Sequence, residues 1–382
     1  MLKILSLFSG IGAFEKALEN IDEPFELVNY CEIDKYASKA FSLIHGIREG
    51  LNIGDITTIN TYDIPKDVDI VTYGFPCQDI SNAGKQRGFT DEKGNLTRSG
   101  LFYEALRIIT DVQPKFAIAE NVKALTSKKF ATEFEIVLDS LRNAGYTNYW
   151  ALLNAKDYGI PQNRERVFIV SIRNDIEHGF DFPKPYELKL KLKDVLETNV
   201  DEKFFLTDEM LKKFIVFDKP TQGEIKLIGN CKPTRTRQNP NQGRVYDING
   251  ISPTLTCCGG GNLQPYIRVR EATKKGYAEA KDGDFINLQF PNSKTRRGRV
   301  GKGIAQTLLC NSENGVVEKS RIRKLTPKEY FRLMGFSDRD IDILIDNGIS
   351  NAQLYKMAGN SIVVDVLEEI YVELLNQYNE VV

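Results

Sequence analysis

Cys77 stands in the run Tyr73-Gly74-Phe75-Pro76-Cys77-Gln78, where an apolar segment gives way to glycine, proline and small polar residues. A free cysteine usually packs as a small inert hydrophobe, but an ionised thiol at a strand end can act as a nucleophile. Histidine is not the obvious activator, because the chain has only His45 and His178, neither in a recognisable motif. Other residues with chemical potential surround other apolar runs. Glu120 opens Glu120-Asn121-Val122 directly after KFAIA, and Arg164 and Arg166 lie in QNRERVF. Phe8-Ser9-Gly10-Ile11-Gly12 follows the first apolar run, and its two glycines would let backbone approach a ligand closely. A dinucleotide fingerprint wants a third glycine at position 15, where this chain has Glu15. That mismatch disfavours a nicotinamide cofactor and leaves other nucleoside cofactors open. Glu32 ends the second apolar run, well placed to accept hydrogen bonds from ribose hydroxyls. Asp55, in GDIT, could hold an adenine amino group or simply close a turn.

Positioning these groups requires a regular scaffold, and the first half of the chain alternates accordingly. Strands are predicted at 3–8, 27–31, 68–73, 115–119, 149–154 and 166–172, and helices at 13–20, 34–45, 101–112 and 134–145. Short apolar runs separated by helices indicate an α/β fold, a doubly wound and mostly parallel sheet with helices on both faces. In such sheets ligands bind outside the carboxyl ends of the strands. The Phe8–Gly12 loop, Glu32, Cys77 and Glu120 therefore fall on one rim.

From about 175 to 320 the alternation fades into Pro-, Gly-, Asn- and Thr-rich sequence, read as a second, smaller and irregular β-rich domain. It carries a faint repeat, GRVYDINGISPTLTC (243–257) and GRVGKGIAQTLLC (298–310), too short for a solenoid. The chain then turns helical: LTPKEYFRLMGF (325–336) opens with a threonine cap and a first-turn proline. The segment 362–375 lines Val363, Val366, Leu367, Ile370 and Leu374 on one face, which needs the large sheet domain as a partner. The predicted division is thus 1–175 completed by 321–382, with 176–320 inserted.

Fifty-one basic residues against 52 acidic give a net charge of −1, which by itself does not announce a nucleic-acid partner. The distribution does. Between 291 and 324 stand Lys294, Arg296, Arg297, Arg299, Lys302, Lys319, Arg321, Arg323 and Lys324, against Glu313 and Glu318 alone. Residues 231–244 add Lys232, Arg235, Arg237 and Arg244 with no acid, so this region reads as a phosphate-tracking surface. The six cysteines form no CxxC pair and histidine is scarce, so neither a zinc site nor a disulfide framework is expected. No stretch approaches the ~20 apolar residues of a membrane span, and the glycines near the N-terminus fit a strand and turn better than a signal peptide. A cytoplasmic protein is expected.

FSGIG, CEID, GDIT, GFPCQDIS, ENV, QNRERVF and GNS occur in the order found in DNA (cytosine-5)-methyltransferases of the bacterial and phage restriction-modification type, which this chain resembles over nearly its whole length. The resemblance implies an S-adenosylmethionine-dependent methyltransferase fold, S-adenosylhomocysteine as product and no metal. It makes Cys77 the nucleophile at C6 of cytosine and Glu120 the acid on N3 and the exocyclic amine. Arg164 and Arg166 would support the pyrimidine and the catalytic loop. Phe8, Gly10, Gly12, Glu32, Asp55, Pro76, Leu101, Asn360 and Ser361 match the cofactor pocket.

The resemblance also implies that the target cytosine leaves the duplex, with the polar, basic loop after Cys77 (Ser81 and Arg98 among it) closing over it. The inserted domain then becomes the reader of double-stranded DNA in the major groove. Gln242, Arg244, Thr254 and Leu255 resemble its recognition loops. The second copy around Thr307 leaves the register open, and its flanking Arg296, Arg297 and Arg299 are candidates for guanine contacts. A monomer is expected, and a cognate restriction endonuclease is left open, as is the target site. Two alternatives stand beside this reading: a tRNA cytosine-5 methyltransferase with the same core, and a catalytically inactive DNA-binding relative. The roughly 140 residues between RVFIVSI and LTPKEYF favour a dedicated DNA reader over the slimmer tRNA enzyme.

Overall fold

The computed structural model describes residues 1–76, 80, 88–89, 97–177, 179–204, 215–216, 224–230, 244–248, 250–254, 266–268, 285–287, 300–301, 314–316 and 323–378. The chain divides into two compact units, Met1–Lys189 with Phe331–Val382, and Leu190–Tyr330. These divisions fall somewhat later in the chain than the sequence boundaries at 175 and 320.

The first unit is built on a six-stranded sheet. Its strands are β1 (Leu2–Leu7), β2 (Phe25–Cys31), β3 (Ile70–Tyr73), β4 (Phe116–Val122), β5 (Tyr146–Asn154) and β6 (Glu165–Arg173), in the spatial order β2-β1-β3-β4-β6-β5. β1 pairs in parallel with β2 and β3, and β3 with β4, while β6 runs antiparallel to both β4 and β5. Burial on both faces explains why the central strands read as continuous apolar runs: all four residues of β3 and four of the first five in β4 are buried. Between the strands run α1 (Ala13–Asn20), α2 (Lys35–His45), α3 (Phe102–Val112) and α4 (Ala131–Asn143). α2 illustrates how local chemistry sets its ends. The Asp34 carboxylate accepts from the Tyr36 and Ala37 amides at its start, and Gly46 closes it in the left-handed region at φ 64°.

The chain leaves the second unit within α5 (Pro327–Arg332) and continues through α6 (Asp338–Asp346), α7 (Asn351–Asn360) and α8 (Val364–Tyr378). The expected cap is present: the Glu329 amide donates to Thr326 Oγ1 at 3.2 Å, and the Thr326 amide donates to the Glu329 carboxylate at 2.8 Å. α5 stops at Arg332, short of the predicted 336, and Gly335 follows in the left-handed region at φ 82°. α8 packs against α1, burying Val366, Leu367, Ile370 and Leu374. Each such side chain contributes roughly 1.5–3 kcal/mol by leaving water. Polar ties fix the returning helices. Lys16 Nζ meets Asp340 Oδ1 at 2.9 Å, Asn20 donates to Glu368 at 2.6 Å, and Lys356 pairs with Asp34.

The second unit is β-rich among its described residues. Strands at Ile215–Val216, Leu227–Asn230, Arg244–Asp247, Tyr266–Arg268 and Arg323–Lys324 make one sheet, and Phe285–Asn287, Val300–Gly301 and Asn314–Val316 another. No helix among the described residues is long and apolar enough to cross a membrane.

Candidate active site

The strand order places the site. From β1 the chain passes through α1 to β2 on one side, then through α2 back to β3 on the other. β1 and β3 therefore flank the point where the winding reverses, the usual crevice for a ligand.

The loop after β1 is pinned residue by residue. Phe8 leaves the strand with φ at 55°, one residue earlier than the sequence suggested and in a conformation that side chains seldom adopt. The Ser9 amide donates to the Cys31 carbonyl at 3.1 Å, and the Cys31 amide donates to Ser9 Oγ at 3.2 Å. The Gly10 amide donates to Glu32 Oε2 at 2.9 Å, and the Asp34 amide donates to Oε1 of the same carboxylate at 2.7 Å. The two glycines serve different purposes. A Cβ on Gly10 would meet nothing within 4 Å, whereas one on Gly12 would overlap the His45 ring and Phe41. Gly10 thus presents bare backbone to open space, and Gly12 makes room for a buried side chain behind the loop.

Glu32 is held from both sides. Its amide donates to Asn52 Oδ1 at 3.0 Å, and Asn52 Nδ2 donates back to the Glu32 carbonyl at 2.9 Å. Asn52 also receives the Gly54 amide at 2.9 Å. Burial raises the Glu32 carboxyl above the ordinary range against the two amides that donate to it. Asp55 sits two residues beyond Ile53, and one of its oxygens accepts both the amide and the hydroxyl of Thr57, at 3.0 and 2.9 Å. The turn-closing role of Asp55 is therefore realised in the structure. Nearby Cys31 is a buried free thiol that burial pushes up to about 12, and it donates to the Gly54 carbonyl at 3.0 Å. It has none of the character of a nucleophile.

Cys77 itself lies outside the described residues, but its approach is defined. Tyr73 pairs with Ala119 across the parallel β3–β4 ladder, so Gly74 comes level with Glu120. A Cβ on Gly74 would stand 3.8 Å from Glu120 Oε2. One residue on, the Phe75 carbonyl accepts from Asn121 Nδ2 at 3.0 Å, with Asn121 itself buried. Pro76 follows, half-buried.

The Glu120 side chain is 13% exposed, and its carboxyl meets Arg166 Nε at 2.9 Å. Burial raises its pKa above the ordinary carboxylate value, against the lowering charges of Arg166 and Arg164. Arg164 is used differently. Its guanidinium is buried and donates to the carbonyls of Ser361 at 2.6 Å and Gly359 at 3.3 Å, tying the residue just before β6 to the end of α7. It stands behind the acid as a fixed charge and a brace. Asn360, exposed, and Ser361, buried, are the residues so positioned. Leu101 ends a 3-10 turn, Ser99–Leu101, at the start of α3 and packs half-buried on the core.

Among the residues assigned to DNA, Arg98 is exposed just before that turn, and Arg244 and Thr254 are half-buried in the second unit. Ser81, Gln242, Leu255, Arg296, Arg297, Arg299 and Thr307 lie outside the described residues. The supporting roles of Asn52, Asn121 and His45 carry no signal in the sequence, since a single polar residue gives none until its distant partner is known. Among the described residues no group of three or more His, Cys, Asp or Glu could hold a metal ion.

A family model described as C-5 cytosine-specific DNA methylase matches residues 2–376. The orphan methyltransferase M.SPRI of Bacillus phage SPR is 36% identical, covering 99% of this chain and 98% of its own. The type II methyltransferase M.HhaI of Haemophilus parahaemolyticus is 32% identical, covering 97% of this chain and 93% of its own. Among solved structures, the S. pombe Dnmt2 methyltransferase superposes with a TM-score of 0.64 at 20% identity, covering 99% of this chain and 100% of the other. That last likeness speaks for the fold alone.

Proposed function

Because the chain belongs to the C-5 cytosine-specific DNA methylases, a family that depends on S-adenosylmethionine, we propose that it methylates cytosine in a short duplex sequence with Cys77 as nucleophile and Glu120 as the acid on the base. The tRNA and inactive alternatives are not favoured by these relatives. One observation carries the residue-level reading: the half-buried Glu120 carboxyl, paired with Arg166, lies beside Gly74, three residues before Cys77.

The chemistry follows from the residue types. C5 of cytosine is a poor nucleophile because the ring is aromatic and electron-poor. Addition of the Cys77 thiolate to C6 makes C5 an enamine-like carbon. Glu120 stabilises the charge this places on the ring by holding a proton at N3, and its raised pKa suits that role. Arg166 keeps the carboxyl oriented and limits how far its pKa rises. S-adenosylmethionine supplies the electrophilic methyl for C5. Loss of the C5 proton and departure of the Cys77 sulfur then restore aromaticity. None of this is feasible inside a base stack, so the cytosine is extruded, at a cost of about a few kcal/mol.

The residues that would hold the cofactor fit it. Gly10 offers backbone facing open space, Glu32 offers a carboxylate on the same rim, and Ser361 lies at the end of the brace from Arg164. Within the second unit, the basic runs at 231–244 and 291–324 support a reader of DNA, with Arg244, Thr254 and the outlying Gln242, Leu255, Arg296, Arg297, Arg299 and Thr307 as its contacts. The test is base-resolved sequencing of 5-methylcytosine in unmethylated DNA treated with the protein and S-adenosylmethionine, alongside Cys77→Ser. Methylation confined to one motif and absent with the variant supports the assignment. Robust methylation by Cys77→Ser would refute the covalent route.

A further inference from the structure

His45 is absorbed by none of the chemistry above, yet its side chain is wholly buried at the last residue of α2, directly behind the Phe8–Gly12 loop. Nδ1 lies 2.6 Å from Glu19 Oε1 on α1, and Nε2 lies 3.2 Å from the carbonyl oxygen of Ile11. Phe41 packs against the ring with centroids 4.8 Å apart, and Gly12 is the position whose missing side chain lets the imidazole reach the loop.

We propose that His45 is a positioning residue for the cofactor, an imidazolium latch that holds the Ile11 carbonyl and so fixes the loop whose next-door amide, Gly10, is anchored on Glu32. The inference rests on the reading of that loop as the S-adenosylmethionine site. Its logic is one of donors and acceptors. A backbone carbonyl only accepts, and so does an ionised carboxylate. Burial works against ionisation of Glu19, but the hydrogen bond and charge of His45, with Lys16, outweigh it and lower its pKa. Both ring nitrogens therefore face acceptors, and both bonds exist together only when both carry protons. A neutral ring that keeps its proton toward Glu19 turns a bare nitrogen lone pair on the Ile11 oxygen, and the loop loses its third pin.

The end of α2 places the ring at the negative end of the helix dipole. The titratable groups about it are Glu19, Glu15 and Lys16 of α1, with Asp340 of α6 paired to Lys16 and Tyr371 of α8 facing Glu15. Burial raises the pKa of Glu15, the residue that replaces a third loop glycine, and the His45 charge is the largest influence against that rise.

The experiment measures S-adenosylmethionine binding by calorimetry on the full chain at neutral pH. His45→Gln, which can donate to only one of the two acceptors, should weaken binding about three- to tenfold and place its loss in the cofactor KM rather than in kcat. As a readout that does not depend on any variant at position 45, nitrogen-15 NMR of histidine-labelled His178→Gln protein reports His45 alone. Both ring nitrogens protonated supports the latch. A single protonated nitrogen, or cofactor affinity unchanged by His45→Gln, overturns it. Absence of S-adenosylmethionine binding to the unaltered protein would instead overturn the cofactor reading on which the latch depends.

Discussion

Arg166 Nε lies 2.9 Å from Glu120 Oε1, the two residues reaching diagonally across the antiparallel β4–β6 ladder in which Arg166 is opposite Val122. The alternation of side chains along a strand puts Glu120 and Val122 on the same face, so this diagonal is the shortest path between acid and base. Burial and this pair act in opposite directions on the protonation of Glu120, the residue proposed to stabilise charge on the flipped ring.

Glu120→Gln should keep the shape of the base pocket but remove the proton that N3 shares. A loss of about 10²- to 10⁴-fold in kcat is expected, with DNA and cofactor binding changed little. Single-turnover methylation with separate binding measurements checks it.

The pH dependence has a definite sign. Burial raises the Glu120 pKa, so the acid form is populated at higher pH than for an exposed glutamate, and activity should fall as pH rises through that value. Arg166→Leu removes the first of the charges holding the pKa down and should move the falling limb to higher pH while lowering the rate. A limb that moves to lower pH, or stays in place, would contradict the pairing. The pH–rate profile of kcat in both proteins is the measurement.

Arg164→Lys should uncouple the end of α7 from β6. An ammonium cannot reproduce two guanidinium bonds to the Gly359 and Ser361 carbonyls, and a cost of about 1–3 kcal/mol in stability is expected. Cofactor affinity should fall with it, because Asn360 and Ser361 lie at the braced segment. Thermal unfolding with and without S-adenosylmethionine separates the two effects.

Gly10→Ala and Gly12→Ala should differ in kind. Both residues have positive φ, 59° and 80°, so each alanine carries about 1–2 kcal/mol of backbone strain. Only at position 12 does the new methyl also strike His45 and Phe41. Gly12→Ala should therefore be the more destabilised protein, and Gly10→Ala should lose cofactor affinity with the smaller change in stability. Chemical denaturation and calorimetric binding of both variants decide it.

Asp365, in the first turn of α8, is raised to about 7 by burial, with Glu368 adding to the effect. Its folded pKa lies above its unfolded value, so the native state binds more protons across that interval and stability falls as pH rises toward 7. Asp365→Asn should recover stability at about pH 8, by at most about 4 kcal/mol, and make no difference at about pH 4. Urea unfolding at the two pH values tests this.

Much of the rim was legible in the sequence because its elements announce themselves locally. An apolar run buried on both faces ends at Leu7, Tyr73 or Ala119, and whatever follows it must lie at the carboxyl edge. The polar supports are legible only through topology. Asn121 finds the Phe75 carbonyl 46 residues away, and Arg164 finds Ser361 across 197. Only Glu165 separates Arg164 from Arg166 in the chain, yet the Arg164 guanidinium donates to the Ser361 and Gly359 carbonyls while Arg166 meets Glu120. Phe8 was counted into β1 because its side chain is apolar, and nothing in residue type reveals a φ of 55°.

Cys77 is proposed to bond to a flipped cytosine, and trapping that bond is the decisive measurement. Duplex DNA carrying 5-fluorocytosine in place of cytosine should form the adduct and accept a methyl, but it has no C5 proton to lose, so Cys77 cannot depart. The expected result is a stable protein–DNA complex that needs S-adenosylmethionine, maps by mass spectrometry to Cys77, and is absent with Cys77→Ser. Methylation of ordinary DNA without any trapped adduct, or an adduct on another residue, would contradict it.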